Sequence, residues 1–298
     1  MNYLVTGASG FIGRHLVDLL LARGDSVNYL ARQRSRNLDS RAAFHCWNPG
    51  EMPPLSSVPR LDGVIHLAGE PVAQRWNSEV KRRIYTSRVD RTRQLVSAIA
   101  GFKYKPAVLV TASAVGYYGD RGDEVLTENS APGNDFLAKV CIDWEREAMQ
   151  ARDAGLRVLT VRIATVLGRD GGALKQMLTP FRLGLGGRFG NGRQWMPWIH
   201  VQDLARLLAF AAENASVSGP LNGSSPDPVT NAQFTAALAR AVHRPAILPV
   251  PKFVLKLALG EMAEFLVASM RVVPQAAEQG GFEFEYPQLD SALRSLLG

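Results

Sequence analysis

The first thirteen residues place the strongest limit on what this chain can fold into. An apolar stretch, Asn2–Thr6, runs directly into Thr6-Gly7-Ala8-Ser9-Gly10-Phe11-Ile12-Gly13. Glycine has no Cβ, so Gly7 and Gly10 permit a sharp turn and a close approach of backbone to a ligand. Gly13 lets the following helix sit close on the sheet. The N–H groups at the start of that helix, aided by the positive end of its dipole, suit a pyrophosphate. With a strand before and a helix after, Gly7-x-x-Gly10-x-x-Gly13 reads as a dinucleotide-binding turn. The alternative is an ordinary βα turn without a ligand.

Further along, apolar strands alternate with amphipathic helices. Strands are expected at Asn2–Thr6, Val27–Ala31, Gly63–Leu67, Ala107–Thr111 and Arg157–Arg162. Helices are expected at Arg14–Arg23 (closed by Gly24), Ser78–Ala100 and Asp135–Arg152. Asn48–Pro59, rich in proline and serine, reads as loop. This alternation predicts an α/β fold, a Rossmann-like doubly wound parallel sheet covered by helices on both faces.

After Arg162 the pattern changes. Gly168–Gly192 is rich in glycine and arginine, and prolines recur at Pro180, Pro197, Pro220, Pro226 and Pro228. Val201–Glu213 and Asn231–Val242 look helical. The expected division is a nucleotide-binding domain over residues 1–167, to which 198–225 return. Residues 168–197 and 226–298 form a smaller C-terminal substrate lobe.

Composition narrows the function classes. With 298 residues, 46% hydrophobic and 20% charged, the chain can bury a substantial core and is not disordered. A formal charge of +7 raises nucleic acid as a partner. The positive residues are scattered, however, and dense only in Arg32–Arg36 and Lys81–Arg93. They read as contacts to an anionic cofactor plus a solvated helix face, so no nucleic acid is expected. Cys46 and Cys141 are the only cysteines, without zinc-type spacing, so no metal is expected and both read as reduced thiols. Met1-Asn2 leads straight into the first strand, which predicts no signal peptide and a cytoplasmic protein. The apolar stretch Phe253–Met270 is interrupted by Lys256, Glu261 and Glu264. Its stripe of Leu255, Ala258, Leu259, Met262 and Leu266 predicts an amphipathic helix, not a membrane span.

In a dinucleotide fold the residue ending the second strand lies beside the adenosine ribose. A carboxylate there selects NAD, and an arginine accommodates a 2′-phosphate. Here that residue is Arg32, followed by Arg34 and Arg36, with no acid before Asp39. A guanidinium fork matches a phosphate in charge and geometry. The expected cofactor is NADP; a solvated loop arginine is the alternative.

Taken together, these residues resemble the extended short-chain dehydrogenases/reductases, in their epimerase/dehydratase-like branch. Within that branch the chain resembles an atypical subgroup with a small C-terminal domain of unknown function, sometimes labelled cell-division-inhibitor-like. The resemblance spans essentially the whole chain. It rests on the glycine turn, on His66-Leu67-Ala68-Gly69-Glu70-Pro71 and on Ser113-Ala114-Val115-Gly116-Tyr117-Tyr118-Gly119. Pro180–Gly187 and Pro197-Trp198-Ile199-His200-Val201 are shared with the subgroup.

The resemblance implies an active site between the two lobes. It implies cofactor contacts from Gly7, Gly10, Phe11, Ile12 and Gly13, from Leu67, Ala68 and Gly69 after strand four, and from Ile163 and Val166 after strand six. Where typical members carry an asparagine after strand four, this chain has Arg88, which either faces inward to the cofactor or is one more basic residue on a solvated helix. Many members dimerise through the helices after strands four and five, which leaves a homodimer open.

The family's chemistry uses a serine, with a tyrosine and a lysine spaced Tyr-x-x-x-Lys on one helix face. The lysine holds the ribose and lowers the tyrosine's pKa, and the serine polarises the substrate oxygen. Ser113 and Lys139 fit the serine and lysine, but Asp135 stands where the tyrosine belongs. An aspartate beside a lysine is ionised and a poor proton donor. Tyr117 or Tyr118 could supply the phenol instead, or both pack the cleft wall; Lys139 either holds the ribose or is a surface residue. The leading reading is an NADP-dependent oxidoreductase or epimerase acting on a small-molecule substrate. The alternative is a catalytically silent NADPH-binding sensor or regulator.

Overall fold

The computed structural model describes residues 1–48 and 50–298, so Pro49, within the expected loop, lies outside the described residues. Seven strands form one parallel sheet: β1 (Asn2–Thr6), β2 (Ser26–Ala31), β3 (Ala43–Cys46), β4 (Gly63–His66), β5 (Val108–Ala114), β6 (Arg157–Ile163) and β7 (Gly219–Gly223). Their spatial order is β7-β6-β5-β4-β1-β2-β3. From β1 the chain builds outward to β3, then crosses back to β4 and builds the other way. The strand order therefore reverses between β1 and β4, and a crevice opens beyond their C-terminal ends.

Alternation along each strand explains why the strands read as continuous apolar runs. Tyr3 and Val5 enter one core with Leu16, Leu20, Leu204 and Leu208. Leu4, between them, enters the opposite core with Leu95, Ile99 and Ala148. The first core is roofed by α1 (Phe11–Ala22) and α6 (Val201–Glu213), the second by α3 (Val89–Ala100) and α4 (Phe136–Met149). Residues 198–223 return to the sheet: strand 198–200 pairs with 165–167, and β7 pairs with β6. A third apolar cluster joins α5 (Gly172–Arg182), α7 (Asn231–Ala241) and α11 (Leu289–Leu297) around Trp198.

Three expectations need correction. Strand β3 was not foreseen, because Ala43-Phe44-His45-Cys46 is a half-exposed sheet edge with no apolar run. The expected single helix Ser78–Ala100 is two, α2 (Ser78–Thr86) and α3, broken at Ser87-Arg88. The stretch Phe253–Met270 likewise divides into α8 (Lys252–Leu259) and α9 (Met262–Val267) at Gly260, whose φ of +63° no longer continues a helix. Leu255 and Met262 are buried, while Phe253 and Leu257 face solvent. No helix among the described residues is long and apolar enough to cross a membrane.

The C-terminal segment that follows the short α10 (Gln275–Gln279) is fastened to α6 by a buried carboxylate. Asp203 on α6 is fully enclosed and accepts the backbone N–H groups of Glu285 and Tyr286, each at 2.9 Å. We expect Asp203→Ala to lower unfolding stability by about 1.5–3 kcal/mol, the value of a charge-assisted hydrogen bond. Denaturant unfolding measures it, and amide exchange at residues 285 and 286 should quicken.

Candidate functional site

The crevice between β1 and β4 is shaped by three glycines with different tasks. Gly7 has φ of +72°, and a Cβ on it would lie 2.7 Å from the Leu67 carbonyl carbon. It lets the two strand ends meet. A Cβ on Gly13 would lie 2.7 Å from Ala8 Cα, so Gly13 seats α1 on the turn. Gly10 is exposed, and a Cβ there would approach only the Gly7 oxygen, at 3.2 Å. Its outward side is open. The amides of Phe11, Ile12 and Gly13 follow as the first turn of α1, which has no intrahelical acceptors.

The Phe11 side chain is an anchor. Cβ atoms on Gly168, Gly171 or Gly172 would each come within 2.7 Å of its ring. Asp170, in the same loop, pairs with Arg14 at 3.1 Å and His15 at 3.2 Å. The loop 168–172 is thereby clamped over the start of α1.

Loop Leu67–Glu70 is held from two sides. Thr6 Oγ1 meets His66 Nδ1 at 2.6 Å, His66 Nε2 meets Thr92 Oγ1 at 3.1 Å, and Ala68 N donates to Thr6 Oγ1 at 3.3 Å. Burial, with the Arg91 charge adding to it, lowers the His66 pKa to about 4, so the ring is a neutral spacer. On the other side Glu70 N donates to Ser87 Oγ at 2.9 Å, and the Arg88 guanidinium lies under Gly69. The Arg88 side chain turns in beneath Gly69 rather than out to solvent. At the end of β2, Arg32, Arg34 and Arg36 are all exposed. The first acid after them, Asp39, is taken by Arg41 at 2.8 Å. Arg91, stacked over Trp47, is close enough that the Arg32 charge helps burial to lower its pKa. Positive charge is concentrated there.

Ser113, Arg162 and Asn222 stand in one row across β5, β6 and β7. Ser113 Oγ donates to Glu145 Oε1 at 2.6 Å. Arg162 grips both Glu145 oxygens at 2.9 Å and donates to Tyr118 Oη at 3.0 Å and to the Glu128 carbonyl at 3.1 Å. Tyr118 Oη in turn donates to Asn222 Oδ1 at 2.7 Å, and Asn222 N donates to Glu128 Oε1 at 2.9 Å. Burial pushes the Tyr118 phenol up to about 12, although Arg162 pulls the other way. Burial lowers the Arg162 pKa, but the bond and charge of Glu145 outweigh it and the net direction is upward. Ser113 has one proton and gives it to Glu145, so it presents lone pairs to anything bound beside it.

The structure does not bring Lys139 to Ser113. Lys139 is exposed, and the α4 side chains that meet Ser113 are Glu145 and Cys141. At 100° per residue, Lys139 lies about 160° around the helix from Cys141. Asp135 is the N-cap of α4, accepting from Ala138 N at 2.9 Å, which is why an aspartate stands there. Tyr118 is fully buried, whereas Tyr117 is half-buried with its ring centroid 3.4 Å from Arg162 Cζ. Ile163 ends β6 partly buried, and Val166 is buried in the strand 165–167. His200 caps α6, accepting from Gln202 N at 3.1 Å, and burial lowers its pKa to about 4. Sequence reasoning missed Glu145, Arg162, Asn222 and Glu128. A charged residue inside the apolar run Arg157–Ile163 was the available signal.

Comparison with known proteins now bears on this geometry. Residues 3–222 match the NAD dependent epimerase/dehydratase family. The chain belongs to that family. Residues 250–296 match a domain of unknown function, DUF1731. Among the family's relatives, the epimerase family protein YfhF of Bacillus subtilis is 39% identical over 298 residues, covering 100% of this chain and 98% of its own. An Arabidopsis thaliana protein, the chloroplastic homolog of epimerase family protein SDR39U1, is 40% identical over 305 residues, covering 100% and 87%. The crystal structure of human epimerase family protein SDR39U1 (isoform 2) with NADPH superposes with a TM-score of 0.90 at 34% identity, covering 100% of this chain and 99% of that one. The Rossmann-like α/β fold is thus that of the family.

Two measurements test the polar interior. Glu145→Ala leaves Arg162 a buried, unpaired cation and should cost about 3–5 kcal/mol, most of which the double change Glu145→Leu with Arg162→Met recovers. Equilibrium unfolding of the three proteins decides it. His66 and His200 titrate near 4 when folded and near 6.5 when unfolded, so the unfolded chain takes up protons first. Stability is complete above about pH 6.5 and falls as pH drops toward 4. His66→Gln should flatten that fall in urea unfolding followed against pH; an unchanged slope removes His66 from the account.

Proposed function

We propose that this chain binds NADP(H) in the β1/β4 crevice and is an oxidoreductase or epimerase-type enzyme acting on a small organic molecule. The observation that carries the reading is the exposed Arg32 at the end of β2, beside an open Gly10 turn and with the nearest following acid already held by Arg41. The residues fit the cofactor. The open side of Gly10 and the amides of Phe11, Ile12 and Gly13 suit a pyrophosphate, and Arg32 suits a 2′-phosphate. Leu67, Ala68 and Gly69 line the crevice opposite, with Ile163 and Val166 on its β6 side. The NADPH in the human relative supports this assignment.

When bound, the nicotinamide supplies hydride chemistry. Ser113, its proton committed to Glu145, orients the substrate by accepting from the hydroxyl at the reacting carbon, and Glu145, itself gripped by Arg162, holds the serine in place. We assign proton exchange to Tyr117 rather than Tyr118, whose proton is committed to Asn222. The substrate is held under residues 168–197 and 226–298, which we treat as the substrate lobe beside the nucleotide-binding unit 1–167 with 198–225. A cytoplasmic location goes with this reading.

Calorimetric titration with NADPH and NADH tests the cofactor. Wild type should prefer NADPH, and Arg32→Ala should weaken NADPH roughly ten- to a hundredfold with NADH unchanged, the loss of one charge-assisted contact. An unchanged ratio removes Arg32 as the discriminator. NADPH oxidation against a panel of carbonyl compounds then separates catalysis from silent binding: turnover that disappears in Ser113→Ala supports the enzyme, and none with any compound favours the sensor.

A further inference from the structure

Exposed apolar side chains are not spread evenly over this molecule. Among the described residues eleven large ones are exposed, and seven of them fall in two stretches, 183–185 and 247–257. The two stretches are neighbours. The Val250 amide donates to the Arg188 carbonyl at 2.8 Å, and the Gly190 amide to the Val250 carbonyl at 3.0 Å. Arg244 Nε donates to the Arg182 carbonyl at 3.2 Å. The loop after α5 and the loop before α8 therefore run side by side, and α8 continues from them. Leu255 of α8 is buried, and Gly260 at its end pairs with Trp76, so the helix is fixed with one side inward. At 100° per residue, Phe253, Val254, Leu257 and Ala258 lie on the opposite side, bordered by Lys252 and Lys256. Nothing in the chain covers that side: Phe253 is 73% exposed, Leu257 75% and Ile247 81%.

The same part of the chain carries its surplus charge. Residues 171–202 and 228–260 contain eight Lys and Arg and no Asp or Glu. All eight are exposed. Taking those eight from the 34 Lys and Arg leaves 26 against 27 Asp and Glu, so the +7 of the whole protein resides in these two segments. Acids reach in from outside them at two points only, Asp290 to Arg240 at 2.9 Å and Glu264 to Lys256 at 3.9 Å. Both pairs are exposed and weak. An uncovered apolar patch marks a binding surface. Cations on its border select an anionic one, and an amphipathic helix edged by lysines suits the plane of a lipid headgroup layer. A second copy of this chain is a poor occupant, because like charges would face each other across the contact.

We propose that this face docks on an anionic lipid surface. Helix α8 lies in the plane of that surface, with Phe253 and Leu257 entering the acyl boundary beside Ile247 and Leu248. Lys252, Lys256 and Arg244 meet the headgroup phosphates. Eight residues cannot span a bilayer, so the association is peripheral and reversible. It does not depend on the NADP(H) reading above.

Cosedimentation of the full chain with vesicles tests it, using phosphatidylcholine alone and equal parts phosphatidylcholine and phosphatidylglycerol. Wild type should pellet with the anionic vesicles only, and less so as salt rises. Phe253→Ser with Leu257→Ser, which keeps every charge, should weaken that binding about tenfold or more. Lys252→Gln with Lys256→Gln should weaken it by about fivefold for each charge lost. The same charges removed elsewhere, in Lys103→Gln with Lys105→Gln, should leave it within about twofold of wild type. All six side chains face solvent, so the melting temperatures should match wild type. Equal binding to both kinds of vesicle, or to neither, overturns the proposal. So does equal loss in the two lysine pairs, which reduces the effect to net charge. A dimer in light scattering that Phe253→Ser with Leu257→Ser dissociates gives the face to a second copy and overturns it too. Binding of poly-glutamate through Lys252 and Lys256, by a protein that ignores the vesicles, overturns it in favour of an acidic protein partner.

Discussion

The contact of Gly7 with the Leu67-Ala68 peptide is the constraint on which the rest of the crevice depends. Backbone meets backbone there with no space for a side chain, so the ends of β1 and β4 are locked at one separation. Each neighbouring feature takes its place from that lock. The open edge of Gly10, the first amides of α1 and the loop Leu67–Glu70 all face one another across it. The Thr6–His66–Thr92 chain then fixes the loop from below, and a neutral His66 can do so without placing a charge beneath it.

A different economy governs the row across β5, β6 and β7. Ser113, Glu145, Arg162, Tyr118 and Asn222 are buried or nearly so, and a buried ion pair contributes little net stability once desolvation is counted. What the network does supply is direction. The Ser113 proton goes to Glu145, Nε and Nη2 of Arg162 both grip that glutamate, and the Ser113 oxygen is left with a fixed set of lone pairs. Closely satisfied networks of this kind are rigid, which holds the Ser113 oxygen in one orientation.

The sheet, its parallel sense and the nucleotide-type turn were legible in the sequence because each depends on local, repeating signals. Apolar runs between amphipathic helices require two covered faces, and Tyr3, Leu4 and Val5 show both faces filled. The constellation around Ser113 was less legible. Tyr-x-x-x-Lys is a helix-face rule, and applied at Lys139 it selects the wrong side of α4, since Asp135 is there to cap the helix. The partners that do reach Ser113 come from residues 32 and 49 positions later in the chain, Glu145 and Arg162. Only strand pairing sets Ser113 beside Arg162 and Arg162 beside Asn222.

By itself, then, the sequence determined the glycine turn, the strand–helix alternation and the arginine that follows β2, because backbone freedom, hydrophobic period and charge are properties of nearby residues. The tertiary structure decided where helix 78–100 breaks, that Arg88 points inward, and which side chain receives the serine's proton. Those outcomes depend on how closely distant segments approach, and on whether a buried charge finds a partner there, which no local pattern encodes.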